Sequence, residues 1–254
     1  MPRPPRATPF DPDFLERSPL FWPVAPAARS LLARASRDRT GDGTAPDFPP
    51  VQSLDRVFGD EAHEAPVRFV PAAPRPRRGR RKPTVDVCAL YDARITLDRV
   101  VPTRARSWHD LMNALVWGTF PLAKRALHAR QHRAIAERLA PGARTLPPAR
   151  TRELDALALL DEGGVVLLGS DPEGTIVFGH AIYESLALGI PPTVVAAIAL
   201  DAPERTLGAV DAALARHIED GERLRSPEEL TRVALPTPST GMGAWATHGA
   251  PKAP

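Results

Sequence analysis

The chain has one cysteine, Cys88, among its 254 residues, and only 6% of its residues are aromatic. A single cysteine excludes an intramolecular disulfide and therefore permits a reducing compartment. The first residues lack the apolar stretch of a secretory signal, and the longest apolar run, near Val194 to Leu200, is far shorter than a membrane span. These absences predict a soluble, cytoplasmic protein with no membrane association.

Motifs that identify well-known enzyme classes are also missing. Gly163 and Gly164 lack the context of a dinucleotide-binding or phosphate-binding loop. The sequence also contains neither the HExxH motif of zinc proteases nor the GxSxG nucleophile elbow of hydrolases. The sequence therefore assigns neither a reaction nor a substrate.

Proline and apolar residues are plentiful by contrast. The chain has 30 prolines, a net charge of +3 and 43% hydrophobic residues, which can bury the core of one domain. Helical patterns outnumber strand patterns and do not alternate regularly with them, so we predict an α+β fold, mainly helical with a small sheet of short strands. We expect a single globular domain at residues 10–245, exposed Pro/Arg-rich loops at 37–50 and 71–84, and disordered ends at 1–9 and 246–254.

The most informative stretch is a predicted helix from Ser107 to Trp117. We expect both of its faces to be covered, because the polar face carries no Lys, Arg or Glu. Ser107 and Asp110 have the spacing of a capping box. Capping does not explain His109 and Asn113, which lie one turn apart and are either buried, satisfied polar residues or functional groups.

A second helix is predicted from Phe120 to Leu139, after a corner at which Gly118 ends the first helix and Thr119 caps the next. Arg130 projects from the middle of its apolar face. Because a guanidinium cannot lose its proton to escape burial, Arg130 should either meet a carboxylate or extend its head group outward.

Asp155 lies on a third predicted helix, Arg152 to Glu162, that is apolar nearly all round. An unpaired buried carboxylate is costly, so we expect a cationic partner. Arg130 is the first candidate and Arg152 the second, and a structural ion pair is the expected outcome.

His180 and Glu184 form a further candidate pair. Their i,i+4 spacing places both side chains on one strip of a predicted helix. This arrangement suits a carboxylate that orients an imidazole, or two ligands of one divalent metal, and it equally describes an ordinary buried hydrogen-bonded pair.

Strands are predicted at Val67 to Val70, Val165 to Leu168 and Thr193 to Leu200. The extended, β-branched character of Tyr91 to Thr96 allows this segment to pair with the first strand as a hairpin. The basic run from Pro74 to Pro83 would then lie at the tip of that hairpin.

Two functional hypotheses follow. The first is an enzyme, either a metal-dependent or an acid/base hydrolase, because the polar groups lie on helices too apolar to face water. Its candidate catalytic residues are His109, Asp110, Asn113, Arg130, Asp155, His180 and Glu184. Its candidate ligands for a divalent metal are His109, Asp110, His180 and Glu184.

The second hypothesis is a non-catalytic binding module that recognises nucleic acid or an acidic partner through a basic surface. One part of this surface would be the polar face of the second helix, with Lys124, Arg125, His128, His132 and Arg133. The other part would be the basic run, with Arg77, Arg78, Arg80, Arg81 and Lys82. A strong decrease of affinity with salt would identify this function.

The segments WHDLMNALVWGTFPLAKRALHARQ (108–131), LDALALLDEGGVVLL (154–168) and FGHAIYE (178–184) resemble a bacterial family of unknown function, number 3025. The central Trp-His-Asp block and the helix that begins with Phe-Pro are its most specific elements. The resemblance extends over roughly Phe10 to Trp245. It implies a shared fold and no assigned activity.

Overall fold

The computed structural model describes residues 8–35, 47–59, 65–73, 86–140, 143, 146–147, 149–169, 175–201 and 204–235. The α-helices are α1 (Ala25–Ala35), α2 (Tyr91–Asp98), α3 (Trp108–Thr119), α4 (Pro121–Ala136), α5 (Arg152–Gly163), α6 (His180–Ala187) and α7 (Leu207–Glu219). The strands are β1 (Arg68–Pro71), β2 (Val100–Thr103), β3 (Gly164–Leu168), β4 (Thr175–Val177), β5 (Val194–Leu200) and β6 (Thr231–Ala234). The basic run at 74–83 and the tail at 246–254 lie outside the described residues.

These elements confirm the predicted α+β fold, which is mainly helical, and place its strands in two small sheets. One sheet contains β1 and β2 as a parallel pair, and the other has the order β4-β3-β5-β6. In the larger sheet β3 and β5 are parallel, whereas both edge strands are antiparallel to their neighbours. None of the described helices combines the length and the hydrophobicity that a membrane crossing requires.

The predicted hairpin between Val67–Val70 and Tyr91–Thr96 is wrong. The second segment forms α2, and β1 pairs instead with β2 in parallel. A six-residue segment carries too little periodicity to separate helix from strand, and tertiary contacts decide here. Asp92 of α2 binds His128 of α4, which holds the segment against a helix rather than against a strand.

Helix α3 lies in the core with both of its faces covered, as predicted. Trp108 and Trp117, at opposite ends of the apolar segment, are both buried. The helix continues through Gly118 to Thr119, so this glycine does not end it. A Cβ on Gly118 would lie 2.6 Å from the carbonyl oxygen of Val57. Glycine is therefore required for close packing of α3 against the 3-10 helix Val51–Phe58.

Helices α4 and α7 cap each other. Phe120 offers no side-chain cap to the start of α4, and Asp211 of α7 accepts hydrogen bonds from the backbone N–H groups of Leu122 and Ala123 instead. In return, Arg130 of α4 donates to the carbonyl oxygens of Ile218 (2.8 Å) and of Asp220 (3.0 Å) at the end of α7. Helix ends leave these groups unpaired unless another segment supplies partners.

Asp211 should make stability depend on pH. Burial raises the pKa of Asp211 to about 6, although the backbone N–H groups of Ala123 and Leu122 favour its ionised form. The folded chain then binds more protons than the unfolded chain between pH 4 and 6, so stability falls as pH rises through this window. Between pH 4 and pH 7 the wild type should lose about 2 kcal/mol of unfolding free energy relative to Asp211→Asn, which cannot ionise.

Urea denaturation of both proteins at the two pH values measures this difference. Because every other titrating group is common to the two proteins, its contribution cancels in the comparison. If the difference in unfolding free energy between wild type and Asp211→Asn is the same at pH 4 and pH 7, the pKa of the Asp211 carboxyl is not raised by folding.

Candidate functional site

Three helix ends meet at one cluster of imidazole and carboxylate groups. His109 lies in the first turn of α3, Glu162 in the last turn of α5, and His180 is the first residue of α6. Glu184 follows one turn after His180. We call His109, Glu162 and His180 the triad.

Glycines allow the helix ends to approach so closely. A Cβ on Gly179 would lie 2.5 Å from the carbonyl oxygen of Glu162, and one on Gly164 would lie 2.3 Å from that of Leu160. The backbone N–H of Gly179 donates to the carbonyl oxygen of Gly164 at 2.8 Å. This contact fixes His180, the next residue, beside the end of α5.

The ligand atoms of the triad converge. The Nε2 atoms of His109 and His180 are 3.0 Å apart, and Oε2 of Glu162 is 3.4 Å from Nε2 of His180. One ligand atom from each residue lies within 4.8 Å of the others. Two imidazoles bound to one tetrahedral metal at 2.0–2.1 Å would have their nitrogens about 3.3 Å apart, so only small movements separate the triad from a ligand set.

Each histidine has a carboxylate beside its other ring nitrogen. His109 Nδ1 lies 2.9 Å from Oε2 of Glu184, and His180 Nδ1 lies 3.7 Å from Oδ1 of Asp161. The buried ammonium of Lys124 binds the same Asp161 oxygen at 2.5 Å. Carboxylates in these positions orient metal-binding histidines and make the metal-facing nitrogen a better donor.

The protonation of the two histidines decides which groups face each other at the centre of the triad. If His109 is neutral and donates from Nδ1 to Glu184, its Nε2 presents a lone pair to Nε2 of His180. A neutral His180 with its proton on Nε2 donates to that lone pair and leaves its own Nδ1 buried without a hydrogen-bond partner among the described residues. With its proton on Nδ1, toward Asp161, His180 would instead present a second lone pair. Two facing lone pairs repel each other unless one of them is protonated or a cation lies between them.

Acidic residues at the end of α5 also favour a cation. Asp161 and Glu162 lie in the last turn of this helix, where the negative end of the helix dipole disfavours carboxylates. Lys124 compensates Asp161. Within the described residues, no lysine or arginine pairs with the carboxylate of Glu162, whose side chain is 49% exposed.

A second polar group extends from Lys124 into the core. Lys124 Nζ lies 5.7 Å from the centre of the Trp117 ring, which stacks on His128. His128 Nδ1 is 2.8 Å from Oδ1 of Asp92, and the Tyr91 ring meets His128 edge to face. Helix α2 is thereby connected to the residues that support the triad.

Protonation states in this group follow from burial and charge. Burial would raise the pKa of Asp161, but Lys124 and His180 hold it well below its usual range. Burial and the adjacent Lys124 lower the pKa of His128. Burial and the carboxylates of Asp161 and Asp110 raise the pKa of the Tyr91 hydroxyl. Asp161 is therefore ionised near neutral pH, and His128 and Tyr91 are uncharged there.

The structure brings His109, His180 and Glu184 together, and it engages two other candidates elsewhere. Asp110 binds the backbone and the guanidinium of Arg104. The amide of Asn113 donates to the Tyr91 hydroxyl at 3.3 Å, and its Oδ1 is buried without a partner among the described residues. Half of the predicted capping box is present, because the Ser107 hydroxyl accepts from the Asp110 backbone N–H.

The predicted pairing of Asp155 is wrong. Its side chain is 49% exposed and lies 3.6 Å from Arg150, because it occupies the outer side of α5. Arg130 is buried, as one alternative required, but its carboxylate is Glu153, at 2.6 Å. Arg152 pairs with Glu228. Arg130 and Asp155 therefore lie in separate structural contacts, apart from the triad.

Sequence reasoning missed Glu162, Asp161 and Lys124. The sequence pattern indicates only that Glu162 and Asp161 end a buried helix and that Lys124 lies on the polar face of the second predicted helix. One signal was present: two consecutive acidic residues end an apolar helix, immediately before two glycines. An unfavourable charge at a helix end calls for a compensating cation.

The basic surface predicted on α4 is not formed as expected. The ammonium of Lys124 is fully buried on Asp161, and His128 is buried on Asp92. The register of α4 turns these two residues toward α5 and α2, whereas Arg125 and Arg133 remain exposed. The remainder of that predicted surface, the basic run, lies outside the described residues.

Fold and triad together define a mainly helical α+β domain with a cluster of metal-ligand type. Residues 81–175 match the model of a family described as "Protein of unknown function (DUF3025)". This match confirms, over less than half of the chain, the resemblance carried by the central motif. It includes His109 and Glu162 and ends before His180. Comparisons with curated proteins and with solved structures find no match.

Proposed function

We propose that the chain is a divalent-metal-dependent hydrolase whose metal ligands are the triad. The observation that carries the proposal is the convergence of His109, Glu162 and His180, with one ligand atom from each within 4.8 Å. Two imidazoles and one carboxylate form the ligand set of several zinc hydrolases. Glu162 was not among the metal ligands expected from sequence. In this proposal it takes the place of Asp110, which binds Arg104, and Glu184 contacts His109 instead of the metal.

The number of ligands supports catalysis over a purely structural metal. Structural zinc sites usually have four protein ligands, whereas catalytic sites have three and leave a position for water or substrate. The side chains of Glu162 and His109 are partly exposed, so solvent reaches two of the three residues of the triad. A bound divalent metal would lower the pKa of a coordinated water and supply hydroxide at neutral pH.

The supporting residues have distinct roles in this proposal. Glu184 holds the Nδ1 proton of His109 and so directs Nε2 toward the metal. Asp161 Oδ1, fixed by Lys124, lies 3.7 Å from His180 Nδ1, which has no hydrogen-bond partner among the described residues, so a small movement on metal binding would let Asp161 orient His180 in the same way. The carboxylates of Glu162 and Glu184 together balance the charge of a divalent cation.

Calorimetric titration of the chelator-treated chain with zinc tests the proposal. We expect one zinc ion per chain, and we expect Glu184→Gln to weaken zinc binding by about 10–100-fold, as is typical for loss of a residue that orients a ligand. Glu137→Gln, at the exposed end of α4, is the matched control and should bind zinc like the wild type.

Hydrolysis of p-nitrophenyl acetate by the zinc-loaded and the metal-free protein tests the reaction. Zinc-dependent release of p-nitrophenolate that is reduced in Glu184→Gln would support the proposal. Failure to bind zinc would refute the metal site. Stoichiometric zinc binding without metal-dependent hydrolysis of ester, amide or phosphate ester substrates would refute the assignment as a hydrolase.

A further inference from the structure

A cleft of about 560 Å³ opens beside Glu162. It lies between the end of α5, the outer side of α6, and strands β5 and β6. Its walls are mostly apolar, and two of the apolar side chains, Leu159 and Val194, are 38% and 54% exposed. Ligand sites are commonly clefts of this size with apolar walls and a few polar groups.

The charges along the cleft are unequal at its two ends. Glu162 lies at the end nearest the triad, and Arg232 of β6 lies among the residues at the other side. Glu228, also in the wall, is neutralised by Arg152. Arg232 forms no ion pair within the described parts of the chain, so its guanidinium is available to an anionic ligand group.

The register of the larger sheet gives the separation of these ends. Gly164 of β3 pairs with Ala196 of β5, which pairs with Arg232 of β6. Three strands in a row place the backbones of Gly164 and Arg232 about 10 Å apart. Residues directly opposite each other in neighbouring strands point to the same face, so Arg232 and Ala196 face the same cleft.

We propose that this cleft binds a small organic acid with a medium-length apolar chain, with its carboxylate at Arg232 and its chain along the apolar walls. In the metal-free chain, repulsion from Glu162 adds to this orientation of the ligand. The far end of the chain then lies at the triad. That this molecule is the acyl or alkyl part of the substrate rests on the proposed function, whereas its binding does not.

Octanoate and octan-1-ol serve as probes, because they share an apolar chain and only octanoate carries a charge. Calorimetric titration of the metal-free chain should detect binding of both. Arg232→Gln should weaken octanoate binding about tenfold and leave octanol binding unchanged, since it removes a charge-assisted hydrogen bond. Ala181→Leu, which fills the cleft from α6, should weaken both probes.

Arg216→Gln is the matched control, because Arg216 is an exposed arginine on α7 outside this cleft. If Arg232→Gln binds octanoate like the wild type, or if Arg216→Gln weakens it equally, the proposal is overturned. If Ala181→Leu binds octanoate and octan-1-ol as tightly as the wild type does, the proposal is also overturned. If the chain binds octanoate but no zinc, the proposed hydrolase is refuted and the cleft assignment stands. If the chain binds zinc but no octanoate, the cleft assignment is refuted and the proposed metal site stands.

Discussion

Replacement of His180 by alanine is expected to weaken zinc binding by at least about 100-fold, because it removes one of three ligands rather than a residue that orients one. His180 is buried, and its Nε2 lies within 3.4 Å of Glu162 and 3.0 Å of His109. Calorimetric zinc titration of His180→Ala measures the loss, and hydrolysis should disappear with the metal.

Thermal unfolding of the same variant separates a metal site from a structural network. His180→Ala should unfold near the temperature of the chelator-treated wild type, since the main contribution it loses is the metal. His217→Ala, on α7, is the matched control and should retain zinc binding. If the wild type binds no zinc and His180→Ala is extensively unfolded, the triad is instead a hydrogen-bond network of the core.

Replacement of Arg130 by methionine is expected to lower the unfolding free energy by about 3–5 kcal/mol, the range for removing one partner of a buried ion pair. The guanidinium of Arg130 is 2% exposed. It donates to Glu153 at the start of α5 and to three carbonyl oxygens, including that of Arg223 at 2.7 Å. Methionine leaves these acceptors, which are buried or partly buried, without the partner that Arg130 supplies.

Urea denaturation of Arg130→Met and of its matched control measures this effect. Arg133→Met carries the same substitution one turn away at an exposed position and should change the unfolding free energy by less than about 0.5 kcal/mol. If the two variants are equally stable, Arg130 does not hold α5 and α7 together. Zinc affinity should be unaffected in any Arg130→Met molecules that are folded.

Helices α3 to α6 and three of the six described strands could be predicted from the sequence, because their signals are local. A covered α3 follows from a polar face without Lys, Arg or Glu, and β5 follows from a β-branched apolar run ended by turn residues. The pairing of β1 could not be predicted in this way. It depends on which segment lies beside β1 in space, and that is decided by contacts such as the one between Asp92 and His128.

The site was predictable only in part, for the same reason. His109, His180 and Glu184 could be identified because they are polar residues on predicted helices that are too apolar to face water, so each of them needs a partner. Glu162 comes from a different helix end, and its approach to His180 depends on the close contact at Gly179. Arg130 carried an equally unusual signal but serves the mutual capping of α4 and α7. Sequence shows that a buried polar group needs a partner but does not show which one.

Crystallographic anomalous scattering at the zinc edge, on crystals of the zinc-loaded chain, tests the metal site most directly. We expect a single strong peak between His109, Glu162 and His180, about 2.0–2.2 Å from both Nε2 atoms and from a Glu162 oxygen. A peak bound elsewhere on the chain, or the two imidazoles still hydrogen-bonded to each other with no peak between them, would contradict the account.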